Sequence, residues 1–163
     1  MVLGILSDTH GFFHPEIPTF LKGVDVILHA GDVGDVQILD RLAEIAPVKA
    51  VWGNIDGQAV RQRTEEHVWM EVEGCRIWMT HIGGRPGKWT KPVGERLRRN
   101  PPHLLIAGHS HILQIERVAA LNGMLFVNPG AAGKQGWHQE KTMVRLRAEG
   151  GKFTQAEVIR LDA

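Results

Sequence analysis

Seven side chains of the types that bind transition metals stand at or just beyond the ends of apolar runs: Asp8, His10, Asp32, Asn54, His81, His109 and His111. The densest group is Gly108-His109-Ser110-His111, which closes the run Leu104-Leu105-Ile106-Ala107 and is followed by Ile112-Leu113. In an extended backbone, residues i and i+2 project to the same side, roughly 6 to 7 Å apart at Cα. That spacing suits two metal ions about 3.5 to 4 Å apart, each taking one imidazole, as in two-metal hydrolytic sites. Asp8 and His10 repeat the spacing with a carboxylate and an imidazole, a pair able to serve one ion. Each pair also has an ordinary reading: a polar strand end for His109 and His111, an Asx turn with an exposed histidine for Asp8 and His10. The elements that carry the pairs decide between these.

Residues 2–7 read as a buried first strand, and Phe12, Phe13, Ile17, Phe20 and Leu21 suggest a short helix entered after Pro15. A second buried strand over 25–30 runs into Gly31-Asp32, which makes His29, set back from the strand's end, a packed group behind Asp32 rather than a ligand. Asp35 is the expected N-cap of a helix over 36–46, with Ile38, Leu39 and Leu42 on its apolar face and Pro47 ending it. A third strand over 48–52 leads to Gly53-Asn54-Ile55-Asp56-Gly57. Three strands that each release polar residues at their carboxyl ends describe an α/β layout with its site along that edge. Beyond this point, 68–72 and 76–80 read as antiparallel strands joined at Glu73-Gly74-Cys75, the second delivering His81. After a basic loop, 92–100 suits a short helix stopped by Pro101-Pro102, leading into the strand before His109. Strands are expected over 112–119, 123–127, 142–147 and 153–161. The predicted fold class is α/β, two packed mixed β-sheets flanked by helices, in a single domain spanning 1–163.

Composition narrows the function. The 163 residues carry 19 Lys+Arg against 18 Asp+Glu, a net charge of +1, so no global field draws the chain to nucleic acid or to an anionic membrane. Cys75 is the only cysteine, which excludes an intramolecular disulfide framework and a thiolate zinc cluster and leaves nitrogen and oxygen as metal ligands. No apolar run is long enough to span a bilayer or form a signal-peptide core, and a cytoplasmic location is expected.

Taken in order, Asp8-x-His10, Gly31-Asp32, Gly53-Asn54-x-Asp56, His81 and Gly108-His109-x-His111 resemble the motifs of the calcineurin-like metallophosphoesterase superfamily, especially its small bacterial and archaeal phosphodiesterases. Asn128-Pro129-Gly130 extends the likeness. The resemblance implies one metal held by Asp8, His10, Asp32 and His111, and another held by Asp32, Asn54, His81 and His109. It implies catalysis by Asp32, Asn54 and His109 through the metals, with a bridging hydroxide attacking phosphorus. Mixed imidazole and oxygen donors suit two divalent transition-metal ions, manganese first, with iron, zinc or nickel as alternatives. The partner expected is a small phosphoester substrate, nucleotide-like in one reading, with homo-oligomer formation left open. A phosphomonoesterase or protein phosphatase is the enzymatic alternative. A non-catalytic scaffold is the other, since the retromer small subunit shares the fold.

Some positions depart from the pattern. Many superfamily members carry histidine after the Gly-Asn motif as a proton donor, whereas this chain has Ile55, and Asp56 is left to cap the loop. His14 is a candidate replacement donor, with a surface histidine as its plainer reading, and His138 is a weaker candidate. Ala131 replaces a frequent serine. Arg85, Lys88, Lys91, Arg96, Arg98 and Arg99 face only Glu95 in sign, which suggests either a solvated surface or a positive rim, and Trp89 either a packed residue or a platform for a base.

Overall fold

The computed structural model describes residues 1–136 and 140–162, and one sheet gathers the first three strands with the last two. Strand β1 (Val2–Leu6) leads through α1 (Ile17–Phe20) to β2 (Val26–His29), then through α2 (Val36–Ala43) to β3 (Val48–Ala50). A one-turn helix α3 (Gln58–Arg61) precedes the hairpin β4 (His67–Val72) and β5 (Cys75–Thr80). A small ribbon, β6 (Gly84–Arg85) and β7 (Lys88–Trp89), is followed by α4 (Lys91–Arg99) and β8 (Leu104–Ile106). The chain closes with β9 (Gln114–Val118), β10 (Met124–Asn128), β11 (Lys141–Glu149) and β12 (Lys152–Leu161).

Sheet one has the order β12-β11-β1-β2-β3 and sheet two the order β4-β5-β8-β10-β9. Both are mixed: β1, β2 and β3 are mutually parallel, as are β5, β8 and β10, while β11, β12, β4 and β9 join antiparallel. The apolar runs are continuous because the central strands are buried on both faces. Leu3 and Ile5, Val26 and Leu28, Ile77 and Met79, Leu104 and Ile106, and Leu125 and Val127 form the core between the sheets. Their alternates turn outward: Leu6 and Ile27 pack under α1 and α2, while Trp78, Leu105 and Phe126 pack under α4 through Val93 and Leu97. Burying each such aliphatic side chain contributes roughly 1.5 to 3 kcal/mol, which makes the sandwich a rigid mount for its loops.

Asp35 caps α2 as expected, accepting from the Gln37 N–H at 2.9 Å, but the helix ends at Ala43, short of the predicted 46. The turn between β4 and β5 is two residues, Glu73 and Gly74, both with positive φ, so Cys75 belongs to the strand. The stretch expected as a basic loop contains the β6–β7 ribbon, and α3 was not foreseen. Among the described residues no helix is long and apolar enough to cross a membrane.

Candidate metal centre

The loops leaving the carboxyl ends of β1, β2, β3, β5 and β8 meet at one edge of the two sheets and bring all seven candidate ligands together. They fall into two groups. The ligand atoms of Asp8, His10 and His111 lie within 4.8 Å of one another, and those of Asp32, His81 and His109 do likewise. Asn54 joins the second group, its Oδ1 3.1 Å from both His81 Nε2 and His109 Nδ1. Asp32 stands between the groups, its Oδ2 3.4 Å from His10 Nε2 and 3.3 Å from His81 Nε2. The carboxylates are the buried floor, and Asn54 and His109 are exposed at the mouth.

The backbone reaches this arrangement differently from the extended i, i+2 geometry expected of Asp8/His10 and His109/His111. Asp8, His10, Asp32, His109 and His111 all adopt positive φ, between 48° and 73°. Aspartate and histidine enter this left-handed region more readily than most residues. The turning backbone sends His109 into one ligand group and His111 into the other. Backbone held this way costs about 1 to 3 kcal/mol per residue where the region is sparsely populated, so surrounding bonds must enforce it.

Those bonds orient the ligands. Asp8 Oδ2 accepts from the Ser7 hydroxyl and from the His109 N–H, which leaves Oδ1 facing His111 Nε2 at 3.1 Å. His81 Nδ1 donates to Ala30 O at 2.7 Å, fixing the tautomer that presents Nε2. Asp56 is a clasp between two loops: it accepts from Gly53 N–H, Val33 N–H and Gly34 N–H at 2.8, 3.1 and 2.8 Å. Asn128 holds the histidine loop, donating to Gly108 O and Ser110 Oγ while accepting from Gly130 N–H. Gly53 and Gly108 are needed for close approach: a Cβ on the first would sit 2.0 Å from Asp32 Oδ1, and on the second 2.2 Å from Ser7 Oγ.

Burial by itself would raise the carboxyls of Asp8 and Asp32. The nearby imidazoles of His10 and His111, the charge on His81 and the Ser7 hydroxyl hold Asp8 far below the usual range. Bonding and charge from His81 hold Asp32 down. In turn Asp8 raises His10, and Asp32 raises His81 against the opposing effect of burial. The carboxylates of Asp8 and Asp32 are therefore ionised at neutral pH. Among the described residues the buried atoms Asp8 Oδ1 and His10 Nε2 find no hydrogen-bond partner, as expected of ligand atoms aimed at an ion. Imidazole, carboxylate and amide oxygen are a donor set for divalent transition metals.

His29 is packed as expected, fully buried with Nε2 3.0 Å from Thr9 Oγ1. His14 is not the surface residue its position suggested. It is buried, Nδ1 accepts from Glu16 N–H, and Nε2 donates to Asp162 O, so neither nitrogen is left to protonate an ester. His138 lies outside the described residues. Trp89 packs edge-on against Phe126 rather than standing free. Sequence reasoning missed Ser7 and gave Asn128 no role, because both act through neighbours and only their place beside ligand motifs could have marked them.

The calcineurin-like phosphoesterase superfamily domain matches residues 1–151. A probable metallophosphoesterase of Methanothermobacter thermautotrophicus is 32% identical, the match covering all of this chain and 94% of the relative. Among solved structures, zinc-complexed Vps29 of Entamoeba histolytica superposes with a TM-score of 0.76 at 19% identity, over 99% of each chain. An archaeal phosphodiesterase superposes with 0.74 at 21% identity, over 98% of this chain and all of that one. Fold and sequence agree, and the chain belongs to the calcineurin-like phosphoesterase superfamily.

Proposed function

We propose that the protein is a metal-dependent phosphodiesterase acting on a small or nucleotide-like diester. In this reading Asp8, His10, Asp32 and His111 hold one divalent ion, and Asp32, Asn54, His81 and His109 hold the other. The observation that carries it is Asp32 Oδ2, a single carboxylate oxygen within 3.4 Å of a histidine from each ligand group. Two divalent ions, when bound, supply Lewis acidity and a hydroxide nucleophile at neutral pH. The chain's own residues hold the geometry: the Ile55 N–H steadies Asp32 Oδ1 at 3.2 Å, and Ser7 and Ala30 orient Asp8 and His81.

Ile55, exposed beside Asn54, cannot donate a proton, which weighs mildly against the phosphomonoesterase alternative. General acid catalysis contributes typically ~10²–10⁴-fold, so without a donor the best substrates are those whose leaving group departs unaided. Likeness to an archaeal phosphodiesterase supports the same choice. We take manganese as the ion, with zinc, iron and nickel as alternatives that imidazole and oxygen donors also suit. The fold shared with Vps29 favours a second reading, a scaffold that uses the fold for protein contacts.

The test is hydrolysis of bis(p-nitrophenyl) phosphate and p-nitrophenyl phosphate by metal-stripped protein, titrated with manganese, nickel, zinc and magnesium. Diester turnover restored by a transition metal and abolished in Asp32→Asn is the expected result. A monoester preference would move the protein to the phosphomonoesterases. Silence with every metal would favour the scaffold.

A further inference from the structure

A cavity of about 370 Å³ opens directly beside the second ligand group, with His109 in its wall. Its size is at the lower end of small-molecule sites, room for one nucleoside-sized group rather than a polymer. Three features of the lining point to what it holds. Ile82 and Ile112 give it an apolar surface, 45% and 58% exposed at its rim over the buried Phe126, each following a candidate ligand in sequence. Thr90 contributes a buried hydroxyl with no hydrogen-bond partner among the described residues.

The third feature is a pair of cations. Arg85 and Lys88 both line the cavity and are directly opposed across the β6–β7 ribbon. The ribbon is set by Pro86-Gly87 at its turn, with Gly87 at φ +85°, and by Gly84, where a Cβ would meet Lys88 O at 2.3 Å. Like charges directly opposite in an antiparallel pair repel, and among the described residues neither side chain has an acidic partner. Two unneutralised cations held side by side against an apolar pocket form a receptor for an anion.

We propose that this cavity is a substrate subsite in which Arg85 and Lys88 hold a second phosphate of the ester, beyond the scissile one, while Ile82 and Ile112 cover the apolar group between them. The inference rests on the phosphodiesterase reading and adds the substrate class: a diester whose substituent is nucleoside-sized and carries its own terminal phosphate. Arg96 and Arg99, equally basic in sequence, line other depressions of the surface beside Trp69 and take no part.

The p-nitrophenyl ester of thymidine 5′-phosphate and the same ester with an added 3′-phosphate have one scissile bond and one leaving group, and differ only in the distal anion. With manganese-loaded protein, the 3′-phosphate is expected to lower KM by about tenfold or more at low salt, with kcat little changed. Arg85→Ala/Lys88→Ala should bring the kcat/KM ratio of the two esters toward one, while Arg96→Ala/Arg99→Ala keeps it. Equal KM values in the parent protein, or an undiminished ratio in the first variant, would overturn the subsite while leaving the phosphodiesterase reading in place. Should neither ester turn over, that reading fails, and calorimetry with thymidine 3′,5′-bisphosphate and thymidine 5′-phosphate still decides the subsite. Tighter binding of the bisphosphate that is lost in Arg85→Ala/Lys88→Ala supports it; equal binding overturns it.

Discussion

His29 shows how a single buried side chain can set the acid limit of this protein. Its Nδ1 accepts from Gly31 N–H at 3.2 Å, so the ring proton must be on Nε2, where it donates to Thr9 Oγ1, and the Thr9 hydroxyl donates onward to Val33 O. Protonating Nδ1 would set two N–H groups against each other in a site with no solvent. Burial pushes the imidazole down to about 4 from its ordinary 6.5. With the folded-state value depressed, the contribution to stability is fully present above pH 6.5 and is lost as pH falls toward 4, where only the unfolded chain takes up the proton. A shift of that size is worth on the order of 3 kcal/mol at 1.36 kcal/mol per unit. His29→Gln keeps an acceptor and a donor without the titration. Urea unfolding of metal-free protein at pH 7 and pH 4.5 should show a smaller loss for the variant, by about 2 kcal/mol or more. Parallel pH profiles for the two proteins would remove His29 from the account. Subtracting the profiles also cancels the carboxylates of Asp8 and Asp32, which lose their own contributions at lower pH.

At the scale of the elements, the site depends on how near the loops come to one another. The β3 loop passes so close to the β2 loop that Gly53 lacks room for a methyl group, the intruded atoms being Asp32 Oδ1 and, at 2.4 Å, Asp32 N. Main chain cannot swing aside as a side-chain tip can. Gly53→Ala should therefore separate the two loops, lower the melting temperature by an amount equivalent to about 1 to 3 kcal/mol, and weaken metal binding in calorimetry. Gly57→Ala, four residues on with nothing within 4 Å of the new Cβ, should change neither. Normal binding of two ions by Gly53→Ala would show that the loops have slack. The same closeness explains what sequence could and could not reveal. Strands β1, β2, β8 and β10 were legible because burial on both faces leaves an unbroken apolar run, and the ligand types were legible because they stop those runs. The left-handed backbone at Asp8, His10, Asp32, His109 and His111 was not, since it is enforced by bonds between loops distant in sequence, such as Asp8 N–H to Gly31 O and His10 N–H to Asp32 O. Nor was the β6–β7 ribbon, whose two-residue strands contain a glycine and two cations and carry no alternation.

For the whole molecule, the decisive fact is that the ligands are divided between the sheets. Asp8, His10, Asp32 and Asn54 follow β1, β2 and β3 of sheet one, whereas His81, His109 and His111 follow β5 and β8 of sheet two. Each ligand group draws on both sheets, so an ion bound there ties together the edge of the interface that the central core fills. Ligands that bind only the folded state add RT ln(1 + [L]/Kd), about 2.7 kcal/mol per site at a hundredfold excess over Kd. Two filled sites should raise the urea midpoint by the equivalent of about 5 kcal/mol with an unchanged m-value, since the surface exposed on unfolding is the same. Trp69 and Trp78 sit on β4 and β5, so with the other three tryptophans replaced by phenylalanine their fluorescence follows sheet two, while far-ultraviolet circular dichroism follows both sheets. Metal should shift the two signals together, because neither sheet can leave without breaking both ligand groups. If manganese moved only one of the two transitions, the ions would be held by a single sheet, and the division of ligands between the two groups would have to be redrawn.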